Sequence, residues 1–230
     1  MRTSEQIAQI KTRITDPYTI ENILSTGEIS SLVQMFEQAE NKIHKNTGPV
    51  TLNLDLTDLL IASILERLKK EIGTFEVTAA FFFKTSFPHI IHNDDTFELP
   101  DGVYKAVTLP LLLERSLGEE LPKLCFFNQF YFHGPAKFFN GSTGIPTYYN
   151  QQLYEYSNVD GLTEEEFYDS NKLFTHLKAE WLKGLSLHSS LDWKPTNALV
   201  FDSVRLHCAS DFRRLNILSK LGISIFTKVV

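Results

Sequence analysis

Phe87-Pro88-His89-Ile90-Ile91-His92-Asn93-Asp94-Asp95 is the stretch on which the fold turns. It follows an apolar run, residues 77–83, that reads as a buried strand. It sets an imidazole, His92, and a carboxylate, Asp94, two residues apart at or just past that strand's end. Residues i and i+2 of an extended chain point to one face, so both side chains can close on one ion. The same spacing ranks Asp94 above Asp95 as the carboxylate ligand. A metal needs at least one further protein ligand, which the rest of the chain must supply.

Strand-like segments surround this stretch. Phe75–Thr85 is rich in Phe, Val and Thr, and residues 103–113 and 124–132 follow after turn or polar segments. Ala198–Phe201 and residues 204–209 and 221–229 complete the set. Short strands without helical crossovers between most of them predict an antiparallel sandwich or barrel. Before them the periodicity is helical at residues 4–14, with Ser4 as cap, and at 30–45. Residues 50–56 alternate as a half-buried strand, and Asp58 caps a helix over Leu59–Ile72 that Gly73 stops. These helices are expected to pack outside a sheet and to carry no chemistry. Between about 134 and 195 the strand pattern breaks. Loop chemistry, four tyrosines (148, 149, 154 and 156) and a capping box at Thr163–Glu166 point to a long insertion, with a further helix over 174–185. The whole chain, 1–230, reads as one domain: a helical flank over 1–74 and a strand-rich core over 75–230 interrupted by that insertion.

Composition narrows the function. With 43% hydrophobic residues and 18 Phe, the chain has ample material for a core. A net charge of −6 argues against a duplex nucleic-acid partner, which calls for a basic face. The two cysteines, Cys125 and Cys208, sit in apolar sequence and read as buried thiols of a reducing compartment. The first residues lack the charged start and apolar core of a signal peptide, and no apolar run approaches the roughly 20 residues that span a bilayer. The expectation is a cytoplasmic protein with no membrane partner.

The third ligand has a candidate in His207, on the second strand of a strand–turn–strand unit that begins Pro195-Thr196-Asn197-Ala198-Leu199-Val200-Phe201-Asp202-Ser203. His92, Asp94 and His207 make two imidazoles and one carboxylate, a facial set that leaves positions open on an octahedral Fe(II). This pattern, with the run Lys105-Ala106-Val107-Thr108-Leu109-Pro110-Leu111 after its first half and the turn before its distal histidine, resembles the Fe(II)- and 2-oxoglutarate-dependent dioxygenases. The resemblance covers roughly residues 75–230.

It implies a double-stranded β-helix core (jelly-roll, cupin-like), with His92, Asp94 and His207 as both the metal ligands and the catalytic set. It further implies iron, 2-oxoglutarate as co-substrate and O₂, and hydroxylation of a small molecule or an amino-acid or protein side chain with release of succinate and CO₂. Halogenases of this family carry a small residue in place of the Asp, so Asp94 favours hydroxylation. A basic residue should hold the distal carboxylate of 2-oxoglutarate. Lys220, at the start of the strand after the distal histidine, ranks first, Arg214 (with its neighbour Arg213) second and Lys105 third. A cupin-type metalloenzyme that does not use 2-oxoglutarate and a non-catalytic jelly-roll binding module are the alternatives. For His89 a solvent-facing role competes with support of the site, and for Asn128 and Gln129 an edge position competes with contact to a ligand. His44, His133, His176 and His188 show no ligand spacing and read as surface residues.

Overall fold

The computed structural model describes residues 2–44, 48–96, 104–136, 172–182 and 185–230. The tyrosines at 148–156 and the capping box at 163–166 lie outside the described residues. Nine strands run through the described parts: β1 (Tyr18–Ile20), β2 (Val50–Asn53), β3 (Phe75–Thr85), β4 (Ala106–Arg115), β5 (Lys123–Phe130), β6 (Leu187–Asp192), β7 (Ala198–Phe201), β8 (Arg205–Ala209) and β9 (Ile217–Val229). Helices α1 (Ser4–Lys11), α2 (Thr26–Gln38) and α3 (Leu59–Ile72) precede β3, and a single turn, α4 (Ala179–Leu182), stands where a helix over 174–185 was expected. None of the described helices is long and apolar enough to cross a membrane.

The strands form two antiparallel sheets, a six-stranded one in the order β1-β7-β4-β9-β3-β2 and a three-stranded one in the order β6-β5-β8. A lone bridge between His92 and His207 adds the segment around His92 beside β8. Four strands of the large sheet, β7-β4-β9-β3, therefore face β6-β5-β8 and the His92 segment. This is a double-stranded β-helix in which one strand is reduced to a bridge.

Alternation of side chains assigns the faces. On β9, Leu221, Ile223 and Ile225 join the core beneath α2 and α3, together with Phe82 of β3 and Val107, Leu109 and Leu111 of β4. Lys220, Gly222, Ser224 and Phe226 then point inward, between the sheets. On the small sheet Phe126 packs inward on Ala106 and Phe201. Cys125, Phe127 and Cys208 point outward under Phe174, Leu177 and Leu182. Both cysteines are free and buried, as register partners on β5 and β8. Pro110, which has no N–H to give a ladder, sits where the β4–β9 register shifts.

The helical flank needs three corrections. The cap of α1 is Thr3, in a capping box with Gln6, and not Ser4. Helix α2 starts four residues earlier than the apolar stripe suggests, because Ser25 and Glu28 form a capping box. It ends at Gln38, so that Ile43 bridges to Thr51 instead of continuing the stripe. Helices α2 and α3 do pack outside the large sheet, but α1 buries Ile7 and Ile10 against Phe130, Phe132 and Val204, at one end of the barrel.

Candidate metal centre

His92 and His207 exchange both backbone hydrogen bonds, His92 N to His207 O at 3.0 Å and His207 N to His92 O at 2.9 Å. A pair bonded in this way has its side chains opposite each other on one face. The two imidazoles accordingly lie side by side, ring centroids 4.3 Å apart. Asp94, two residues on, is tied by its N–H to Ser203 O at 2.8 Å, in the turn that precedes β8. Its carboxylate oxygens reach His92 Nε2 at 3.5 Å and His207 Nε2 at 3.4 Å. The donor atoms of the three residues all fall within 4.8 Å of one another.

The backbone also selects the tautomers. His92 Nδ1 lies 2.7 Å from Ile90 O, and His207 Nδ1 lies 3.0 Å from Arg205 O. A carbonyl only accepts, so each Nδ1 carries a proton, and loss of the other proton leaves Nε2 with its lone pair toward Asp94. That is the neutral form in which imidazole binds a metal. Burial, reinforced by the charge of His207, lowers the pKa of His92 against the opposing pull of Asp94. For Asp94 burial works to raise the pKa, but the charge and hydrogen bonding of His207, and then of His92, outweigh it and hold the carboxyl well below the usual range. Ligand atoms about 2.1 Å from an ion and at right angles lie about 3 Å apart, close to the spacing seen here. The donor set therefore fits a divalent transition metal such as iron.

Asp95 is withdrawn from this set. It is fully buried in an ion pair with Arg2, whose guanidinium also donates to Phe132 O at 2.7 Å and Thr96 O at 3.0 Å. Just before the two acids, Asn93 is buried and clasps the segment 131–136. Its amide donates to Tyr131 O and Gly134 O, and its Oδ1 accepts from Ala136 N at 2.6 Å. Opposite anchors on consecutive residues fix which carboxylate faces the histidines.

The triad opens into a cavity of about 220 Å³. Lys220 lines it from β9, only 4% exposed. Among the described residues no ion pair or hydrogen bond reaches its ammonium, which lies instead 4.9 Å from the Trp193 ring and 5.0 Å from the Phe212 ring. Burial lowers its pKa to about 8. A buried cation without an anion, facing the same cavity as the metal ligands, fits a carboxylate ligand. The other two ranked cations are placed elsewhere. Arg214 is exposed on the turn after β8 and donates to Lys172 O at 3.4 Å, away from this cavity. Lys105 is buried but committed, with Nζ 2.6 Å from Asp202 and 2.7 Å from Thr15 Oγ1.

The remaining wall is aromatic and hydroxyl-bearing. Phe81, Phe83 and Phe226 are half-buried along it, with Thr108 and Ser224 between them and Thr51 of β2 at the edge. No periodicity marked these residues as site-forming, and Trp193, whose contacts are all tertiary, carried no local signal. His89 is exposed and still lines the cavity, its ring 4.0 Å from His92. Asn128 and Gln129 do not line it; both are engaged with Ser186. His176, read as a surface residue, has both ring nitrogens buried.

No protein-family model and no curated protein sequence matches the chain. Solved structures do match its fold. HygX from Streptomyces hygroscopicus, with nickel and 2-oxoglutarate bound, superposes with a TM-score of 0.51 at 10% identity, over 99% of this chain and 87% of that one. The non-heme alpha-ketoglutarate-dependent epimerase SnoN from nogalamycin biosynthesis gives 0.51 at 14% identity, over 97% and 82%. The viral collagen prolyl hydroxylase of Paramecium Bursaria Chlorella virus-1, a 2-oxoglutarate complex, gives 0.51 at 7% identity, over 94% and 97%. The fold is the one these 2-oxoglutarate-binding proteins share.

Proposed function

We propose that this chain, as one domain, is an Fe(II)- and 2-oxoglutarate-dependent oxygenase that hydroxylates a small molecule or a side chain of an amino acid or protein. The observation that carries this is the meeting, in one cavity, of His92, Asp94 and His207 with a buried ammonium, Lys220, that has no carboxylate partner among the described residues. A metalloenzyme that did not bind 2-oxoglutarate would have no use for that cation.

In this reading His92 Nε2, His207 Nε2 and the Asp94 carboxylate hold the iron, and Lys220 pairs with the distal carboxylate of 2-oxoglutarate. Iron and 2-oxoglutarate together supply the chemistry, in which O₂ converts the co-substrate to succinate and CO₂ and a substrate C–H bond is oxidised. The protein's share is placement. The carbonyls of Ile90 and Arg205 keep each Nδ1 protonated, so both imidazoles stay in the ligating tautomer. Phe201, 4.6 Å from the His207 ring, keeps water from that side of the metal. Inward residues of β9 lie along one line at about 3.3 Å per residue, so Lys220 and Phe226 mark ends roughly 20 Å apart. His207 packs on Phe201, which shares a row with Ala106 and Phe226. Lys220 would then hold the distal carboxylate of the co-substrate, and Phe81 and Phe226, toward the other end of the row, would be left to the substrate. Those rings suit an apolar or flat group at the carbon to be oxidised.

The test is an anaerobic titration with Fe(II) and 2-oxoglutarate. A chelate held as described gives a weak visible charge-transfer band; folded protein that shows none at saturation refutes the reading.

A further inference from the structure

A lysine is a weak choice for gripping a carboxylate unless something else aims it. Its ammonium is a point charge on four flexible carbons and lacks the planar fork of arginine. A neighbouring Asp or Glu could orient it, but would cancel the charge that the ligand needs. Aromatic faces do neither harm: they attract the cation through their quadrupole and leave its charge intact. Lys220 has two, Trp193 at 4.9 Å and Phe212 at 5.0 Å.

Of the two, only Trp193 also lines the cavity. It is 1% exposed, and its own backbone is pinned by a 2.7 Å hydrogen bond from its N–H to Pro122 O. Its indole lies over Gly222 so closely that a Cβ there would come 2.9 Å from Trp193 Cζ2 and 3.0 Å from Leu109 O. A glycine at the centre of a long strand weakens it unless a close approach requires one, and here the indole makes that approach together with Leu109 O and with Phe83 Cζ, which a Cβ would meet at 3.1 Å. Gly222 is two residues from Lys220 on the same inward face, so the seat of the ring and the cation it meets belong to one strand.

We propose that Trp193, seated on Gly222, is a positioning residue for the co-substrate: its indole face holds the Lys220 ammonium in the direction from which it grips the distal carboxylate. This rests on the assignment of Lys220 as the carboxylate's partner, and the experiment separates the two.

Protein loaded anaerobically with Fe(II) is titrated with 2-oxoglutarate and with 2-oxopentanoate, which keeps the chelating end and replaces the distal carboxylate by a methyl. The charge-transfer band reports both, and calorimetry repeats the measurement. Trp193→Leu should bind 2-oxoglutarate about tenfold more weakly and 2-oxopentanoate as before, the size expected for one buried cation–π contact. Trp193→Phe, which keeps a ring face, should recover most of the loss. Gly222→Ala, which presses on the indole as well as on Leu109 O and the Phe83 ring, should repeat the selective loss should Trp193→Leu fold poorly. Equal weakening of both acids, or no weakening, in the folded variants would overturn the positioning role. Lys220→Ala is the control for the assignment beneath it: if that variant keeps wild-type affinity for 2-oxoglutarate, the assignment itself falls.

Discussion

The proposed metal ligands and Lys220 do separate jobs, and each can be measured alone. His92→Ala or His207→Ala removes one of only three donors, and the charge-transfer band of the Fe(II)–2-oxoglutarate chelate should disappear in either variant while the fold persists by circular dichroism. Lys220 offers a pH signature. Burial brings its pKa down to about 8 from the ordinary 10.5. The ammonium that binds the distal carboxylate is therefore complete below pH 8 and lost as pH rises through it, so 2-oxoglutarate affinity should fall across that range. Cys125, pushed up to about 12 by burial, stays neutral throughout and does not blur the profile. Stability moves the other way. Between about 8 and 10.5 the unfolded chain still holds the lysine proton that the folded chain has released, so this group's contribution to stability rises with pH. Affinity and stability measured on the same samples should show opposite slopes, and both should flatten in Lys220→Arg, which stays charged.

Elements explain what the amino-acid pattern could and could not disclose. Strand β3 and helix α3 were legible to the residue, because a Phe-, Val- and Thr-rich composition and an Asp58-to-Gly73 frame are local signals. So were β7 and the spacing of His92 and Asp94. The pairing of β4 with both β7 and β9, the edge strand β1 and strand β6 were not, since only tertiary contacts define them. The same limit bears on the third-ranked cation: Lys105 stands just before β4, where its sequence context matched a co-substrate lysine, and only the fold brings Asp202 to it. That ion pair joins the start of β4 to the turn before β8, and both side chains are about 95% buried. Removing one partner of a buried pair is costly, so Lys105→Met should lower stability by about 3–5 kcal/mol in denaturant unfolding. Its affinity for 2-oxoglutarate, measured below the melting transition, should stay near wild type. A large selective loss of that affinity would return Lys105 to the site.

At the scale of the molecule, binding draws on both sheets at once. The metal ligands come from β8 and the segment beside it, while Lys220 comes from β9 of the opposite sheet. A ligand that spans the two stabilises only the folded state, and at a hundredfold excess over its dissociation constant it contributes about 2.7 kcal/mol. For a chain of this size that corresponds to a rise in melting temperature of roughly 5–10 °C. Metal alone should give part of it, and 2-oxoglutarate without metal much less. One feature sets the kinetics as well as the equilibrium. Two of the three ligands ride on a short segment outside the named strands, tied to β8 and the turn before it by backbone hydrogen bonds of His89, His92 and Asp94, and held behind by Asn93 and by the pairing of Arg2 with Asp95. Such a stretch opens locally at lower cost than the long ladders beside it. The lifetime of the bound ion is then governed by local opening, and the amide of His92 should exchange with deuterium quickly in the metal-free protein and slowly once the ion is held.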